Sequence, residues 1–293
     1  MALDKVLTTV LMDALFTEAR RPVTLMDTFP LSGGSINDAY RLETSAGPFF
    51  LKVNSADRFP SIFEAEVDGL MRLANAGART PAVLGNGEAG DTTWLLLEFV
   101  ETGQRTRPFW HNFGKRLAEL HRNTNTHFGL ERNNYIGSLE QVNTPCPEWH
   151  TFFMERRLEP LVKNARDLGK VQAGMAFRFE RLYGKLYGLF PKEPPALLHG
   201  DLWNGNFICT AQHVPVLIDP AVYYGHREMD IAMSTLFGGS DPEFHAAYNA
   251  EWPLERGWEE RLDLCNLYPL LVHVILFGGE YVQQVETVLK KFT

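Results

Sequence analysis

The stretch that most constrains this chain is Leu197-Leu198-His199-Gly200-Asp201-Leu202-Trp203-Asn204-Gly205-Asn206-Phe207, followed by Asp219 in Val216-Leu217-Ile218-Asp219-Pro220. Its order is an aspartate, an asparagine and a second aspartate beyond a short hairpin. Phosphoryl transfer from a metal–nucleotide complex needs such a set. One carboxylate receives the proton of the attacking hydroxyl, while an amide oxygen and another carboxylate hold the metal that bridges the phosphates. Asp201 is therefore the candidate base, and Asn206 and Asp219 are the candidate metal ligands. The pattern predicts a tight loop over 199–206, short strands over 206–210 and 214–218, and a turn at Ala211-Gln212-His213. That hairpin returns Asp219 to the neighbourhood of Asn206. Singly, Asp and Asn are ordinary turn residues; their order between apolar runs is what points to chemistry.

A length of 293 residues allows one large domain or two lobes around a cleft. With 45% hydrophobic and 22% charged residues the chain has the apolar material for a sizeable core. A net charge of −8 is the wrong sign for a generic nucleic-acid or anionic-membrane surface. Cys146, Cys209 and Cys265 are far apart and form no CxxC pair, which suits a reducing compartment better than a disulfide framework. Met1-Ala2-Leu3-Asp4-Lys5 lacks the pattern of a signal peptide. The apolar run 267–277 is interrupted by Pro269 and His273 and is too short for a bilayer. The expectation is a cytoplasmic protein with neither nucleic acid nor membrane as partner.

Leu3, Val6, Leu7, Val10, Leu11, Ala14 and Leu15 recur at helical spacing, and Arg20-Arg21-Pro22 ends that helix. Strands are expected over 23–29 and on both sides of the Gly33-Gly34-Ser35 turn. Small residues at such a tip let backbone N–H groups approach phosphate oxygens, although they also suit an ordinary turn. Lys52 lies inside the apolar strand Pro48-Phe49-Phe50-Leu51-Lys52-Val53. It either points to solvent or reaches the α- and β-phosphates of a nucleotide. A helix over 62–74 carries Glu64 and Glu66. One of them is expected to fix Lys52, Glu66 being preferred; the alternative is a solvated face. Strands at 82–84 and 93–100 follow. The second ends in Glu98-Phe99-Val100, where a hinge belongs and where backbone groups could read an adenine edge.

From Pro108 the pattern turns helical, and His121 reads as a satisfied core residue. Residues 128–143 read as a loop with a Tyr135-Ile136-Gly137 core. Further helices are expected from Trp149, over 177–190, from Glu228, and over 242–252, 256–266 and 268–290. Asp230 reads as a buried brace on the catalytic loop rather than a metal ligand.

Lys52, Glu66, a hinge after Glu98, Asp201 with Asn206, and Asp219 occur in the order of a protein kinase-like fold, and His-Gly-Asp resembles the aminoglycoside and choline kinase branch. Phe63-Glu64-Ala65-Glu66, Asn134-Tyr135-Ile136-Gly137, Leu198-His199-Gly200-Asp201-Leu202-Trp203-Asn204-Gly205-Asn206, Asp219-Pro220-Ala221 and Leu276-Phe277-Gly278-Gly279 resemble the fructosamine kinase (ketosamine-3-kinase) family over nearly the whole chain. The resemblance implies an α+β bilobal fold. Residues 1–100 are expected as an antiparallel-sheet nucleotide-binding lobe with one main helix, and 101–293 as a helical catalytic and substrate lobe. It implies ATP- and Mg2+-dependent phosphorylation of the C3 hydroxyl of a ketosamine, free or protein-bound, leading to deglycation. Gly33, Gly34, Ser35, Lys52, Glu66, Glu98, Phe99 and Val100 would serve the nucleotide, and Trp203 and His199 the substrate. Many relatives carry a cysteine in the glycine-rich loop that links two subunits; residues 31–37 contain none, so a monomer is expected. His226 stands where relatives often have an acidic residue. The competing reading is a kinase of the same fold for an aminoglycoside or simple sugar, whose polycationic acceptor could be met by Glu251, Glu255, Glu259 and Glu260. A non-catalytic binding module is the third.

Overall fold

The computed structural model describes residues 3–31 and 36–293, so Gly33, Gly34 and Ser35 lie outside the described residues. Helix α1 (Lys5–Ala19) starts where the Asp4 side chain accepts the Val6 N–H, and it ends at Arg20 in the left-handed region. Strands β1 (Leu25–Leu31), β2 (Asp38–Thr44) and β3 (Gly47–Ser55) lead to α2 (Ile62–Asn75), and then β4 (Val83–Ala89) and β5 (Thr92–Glu98). All pairs are antiparallel, in the order β1-β2-β3-β5-β4.

The two-residue period of β3 decides where its lysine goes. Leu51 and Val53 join Leu7, Leu11, Leu15, Trp94 and Leu96 in the core beneath α1. Lys52 therefore faces the opposite side, where Leu95 and Leu97 pack on Ile62, Phe63 and Leu70 of α2. The lysine is directed at the helix that carries the glutamates and away from solvent.

Beyond β5 the chain is mostly helical. It runs through α3 (Arg107–His121), the hairpin β6 (Asn134–Ile136) and β7 (Leu139–Gln141), and α4 (Trp149–Phe152). A π-helical turn at Phe153–Leu158 joins α4 to α5 (Glu159–Asp167). Next come α6 (Ala173–Tyr183), α7 (Leu186–Leu189), β8 (Ala196–Leu198), β9 (Phe207–Cys209), β10 (Pro215–Leu217) and β11 (Tyr223–Gly225). The chain ends with α8 (Glu228–Met233), α9 (Pro242–Glu251), α10 (Trp258–Phe277) and α11 (Glu280–Phe292). One continuous core joins these helices, including Phe113, Phe152, Phe179, Phe244 and Leu271. The architecture is α+β, an antiparallel-sheet region followed by a helical one.

Three local expectations are corrected. Residues 128–143 contain the β6–β7 hairpin, because Asn134 and Gln141 are buried and bonded to each other and to the backbone of Ala221 and Val222. The helix expected over 177–190 breaks at Gly184-Lys185 into α6 and α7. The break expected around Leu267 is absent: α10 runs through Pro269, and its end falls at Gly278-Gly279, both at positive φ. A proline removes one ladder hydrogen bond, whereas consecutive glycines at positive φ turn the chain out of the helix. No helix of the described residues is long and apolar enough to cross a membrane.

Candidate active site

The loop that carries Asp201 and Asn206 is fixed from below by one buried carboxylate. Asp230, near the start of α8, accepts the N–H groups of His199 (2.7 Å) and Gly200 (2.9 Å). Its Oδ2 also meets His121 Nε2 at 3.2 Å. An ionised carboxylate only accepts, so Nε2 of His121 carries the proton and Nδ1 accepts the Tyr248 hydroxyl at 2.8 Å. Gly200 has φ +83°, and a Cβ there would collide with the carbonyl of Ala221. Only glycine lets the loop pass this close to the segment after Asp219.

His199 joins the two acidic segments. Its Nε2–H donates to the Ile218 carbonyl at 2.9 Å, which leaves Nδ1 to accept the Asp201 N–H at 3.3 Å. Burial lowers the affinity of this imidazole for a second proton. The residue is fully buried and does not line the cavity, so the expected substrate contact is corrected to a strut between Asp201 and Asp219. The β9–β10 hairpin forms as expected, with His213 at its tip at φ 58°. Asp219 itself sits at φ 54°, a costly backbone for a non-glycine residue and one held by its surroundings.

Lys52 is 4% exposed and bonds Glu66 Oε1 at 2.7 Å and Asp219 Oδ1. Glu64 makes no such contact. Burial would lower the lysine, but the Asp219 and Glu66 carboxylates outweigh it and keep the ammonium charged. Burial raises Glu66, opposed by Lys52 and reinforced by Asp219. Asn206 Nδ2 donates to the Asp201 carbonyl and to Asp201 Oδ2, both at 2.9 Å. Asp201 is pushed up to about 7, first by burial and then by the Asp219 charge, against the Asn206 hydrogen bond. A carboxyl titrating near neutrality is suited to proton transfer.

These groups open onto a cavity of about 740 Å3 between sheet and helices. Its lining includes Leu31, Ala39, Leu97 and Glu98-Phe99-Val100, the last three being the stretch expected to face a base. Trp203, His273 and Phe277 also line it, joined in a chain of ring contacts that runs through Phe237. Trp203 lies over Gly205, where a Cβ would collide with the indole. His273, which sequence reasoning passed over, donates from Nδ1 to the Pro269 carbonyl at 2.8 Å. It packs on Phe237, Phe277 and Tyr281. Its only sequence signal is a polar residue within the apolar run 267–277. His226 is fully buried against Trp149 and Phe190, away from the cavity.

The donor set fits a hard divalent cation shared with phosphates. With Nδ2 turned to Asp201, no hydrogen bond among the described residues reaches Asn206 Oδ1, and none reaches Asp219 Oδ2. The Asp219 side chain is 43% exposed. Two oxygen donors facing a cavity suit Mg2+, which keeps waters and substrate oxygens as its other ligands. No cluster of three or more His, Cys, Asp or Glu able to cage a metal occurs among the described residues.

A charged lysine held by a helical glutamate, a loop Asp–Asn pair and a second aspartate, under an antiparallel sheet, define an ATP-dependent phosphotransferase of the two-lobed, protein kinase-like fold. The crystal structure of aminoglycoside phosphotransferase APH(4)-Ia with AMP-PNP and hygromycin B shares that fold at a TM-score of 0.65 and 16% identity, covering 96% of this chain and 98% of that one. The family model described as fructosamine kinase matches residues 9–293, and the chain belongs to that family. A probable ketoamine kinase of Enterococcus faecium is 41% identical over 265 residues, 90% of this chain and 94% of its own. The chloroplastic protein-ribulosamine 3-kinase of Arabidopsis thaliana is 37% identical, covering 86% of this chain and 78% of the plant protein. The structure of a candidate fructosamine-3-kinase from Thermobifida fusca superimposes with a TM-score of 0.86 at 34% identity, covering 96% of this chain and 97% of that one.

Proposed function

We propose that the protein transfers the γ-phosphoryl group of ATP to the C3 hydroxyl of a ketosamine, a fructosamine or ribulosamine adduct of an amine, and so starts its removal. Residues 1–100 would form the nucleotide lobe and 101–293 the catalytic and substrate lobe. The observation that carries the reading is the convergence of Lys52, Asp201, Asn206 and Asp219 on one cavity that Trp203 and His273 also line.

In this assignment Lys52, held by Glu66, meets the α- and β-phosphates, and the backbone of Glu98–Val100 faces the base. Asn206 Oδ1 and Asp219 would hold Mg2+, which neutralises phosphate charge when bound. Asp201 Oδ1, the oxygen not engaged by Asn206, accepts the proton of the acceptor hydroxyl. Trp203 offers an apolar face to the sugar or its amine.

The four glutamates expected to meet an aminoglycoside do not line the cavity. Glu251 is bonded to Arg122. Glu259 and Glu260 sit in the first turn of α10, whereas the cavity lining uses Pro269, Val272 and His273 further along it.

The test is Mg2+-dependent ATP turnover against a ribulosamine, a fructosamine, a free sugar and an aminoglycoside. Phosphorylation confined to the ketosamines, with a product that decays to free amine, is the expected result. Turnover of the free sugar or aminoglycoside alone would leave the catalytic residues in place and overturn the substrate.

A further inference from the structure

The linker between sheet and helices is stitched onto the catalytic hairpin. Gly103 N–H donates to the Cys209 carbonyl at 2.6 Å, and a Cβ on Gly103 would meet the Thr210 carbonyl oxygen at 2.6 Å. Cys209 Sγ lies 3.1 Å from the Gln104 carbonyl, and Thr106 Oγ1 lies 3.2 Å from His213 Nδ1. The linker therefore has a fixed register against residues 207–213.

Arg105 reaches from this linker into the turn that holds the candidate metal ligand. Its Nη1 donates to Asn204 Oδ1, and its Nη2 donates to the carbonyls of Asn204 and Phe207, each at 3.0 Å. The guanidinium carbon lies 4.4 Å from the centroid of the Phe207 ring. These acceptors flank Asn206 on both sides. Asn206 is otherwise oriented by its own Nδ2, which donates to Asp201, and by its backbone, whose N–H donates to the Trp203 carbonyl and whose carbonyl accepts the Ile218 N–H, each at 3.0 Å.

We propose that Arg105 is a positioning residue for the metal end of the site: by gripping the carbonyls on either side of Asn206 it directs Asn206 Oδ1 into the cavity, and by holding Asn204 it fixes the neighbouring Trp203. This rests on the assignment of Asn206 to Mg2+. A planar, multiply donating cation stacked on a ring is what the geometry uses, and a lysine ammonium supplies one point charge instead. Arg105 does not line the cavity, so it acts through the turn and not on the nucleotide.

The experiment compares wild type, Arg105→Ala, Arg105→Lys, Asn206→Ala and the Arg105→Ala/Asn206→Ala double variant. The first readout is thermal stabilisation by ADP alone and by ADP with a Mg2+ titration. Stabilisation by ADP alone should be unchanged in Arg105→Ala, while the midpoint of the added Mg2+ effect rises by about tenfold, the scale of losing an orienting outer-shell partner. The second is turnover: the Mg2+ requirement should rise to a similar extent in both Arg105 variants, with partial rescue of Arg105→Ala by millimolar guanidinium. The double variant should be no worse than Asn206→Ala, since the two act on one side chain. If Asn206→Ala shifts the Mg2+ midpoint and Arg105→Ala does not, the positioning role is wrong. Additive losses in the double variant would also overturn it. If Asn206→Ala itself leaves the Mg2+ midpoint unmoved, the metal assignment fails and this inference falls with it.

Discussion

Replacing Asp201 with asparagine should stop turnover and make the ligand-free protein more stable at alkaline pH. The carboxyl has its pKa raised from 3.8 to about 7, chiefly by burial and then by the Asp219 charge. A carboxyl raised in the native state keeps its proton when the unfolded chain has already lost it. Stability therefore declines as pH rises from about 4 to about 7, and above that the loss is complete. With ~1.4 kcal/mol for each of roughly three pH units, the full loss is at most about 4 kcal/mol. Asparagine removes the ionisation but keeps an oxygen for Asn206 Nδ2. For a chain this long, about 4 kcal/mol corresponds to roughly 6 °C in Tm. The assay is a thermal melt in nucleotide- and metal-free buffer at pH 5, 6, 7 and 8, beside turnover, which should fall by about 10² to 10⁴-fold. The Tm gap between D201N and wild type should widen with pH and vanish toward pH 4. A variant no more stable than wild type at pH 8, or a gap that grows toward acid, would refute the reasoning.

The same carboxyl sets the pH–rate profile: kcat/KM should fall on the acid side with a midpoint near 7, where Asp201 takes up its proton. At saturating Mg–ATP that midpoint should move to lower pH, because a cation beside Asp219 offsets the charge that raises Asp201. Lys52→Met leaves Glu66 without its ionic partner in a buried site; we expect kcat/KM for ATP to fall by about 10²-fold or more, measured by steady-state kinetics. Gly205→Ala drives a methyl group into the Trp203 ring, so acceptor KM should rise by about tenfold while KM for ATP stays within about twofold. Equal changes in both constants would detach Trp203 from the acceptor.

Most of the catalytic end was legible because its chemistry is local. Asp201, Asn206 and Asp219 lie on one loop and hairpin, so sequence spacing predicts their meeting. The Lys52–Glu66 pair was half legible: the apolar strand and amphipathic helix could be read, but the choice of Glu66 over Glu64 depends on how α2 packs against the sheet. His199 was misassigned because its place beside Asp201 in sequence suggests the cavity, whereas its ring turns into the protein to reach Ile218. The β6–β7 hairpin escaped detection because strands of three residues, each with one buried amide side chain, are too short to show an apolar alternation. Asn134, Gln141, Asn143 and Arg157 are instead held by a buried polar network reaching Tyr268, a long-range arrangement that no local pattern records. His273 was missed because a polar residue inside an apolar run is ordinarily a core histidine.

The segment after Asp219 has no slack. Ala221 is bonded to His199, Tyr223 pairs with Leu198, and α8 already begins at Glu228. Pro220 rests against α2 so closely that a Cβ on Gly69 would come within 3.0 Å of its ring. The helix that steadies Lys52 and the bend that presents Asp219 are thus packed directly on one another. Any side chain larger than hydrogen at position 69 would be felt at Asp219 through the Pro220 ring, which makes α2 a lever on the acidic end of the cavity as well as on its lysine.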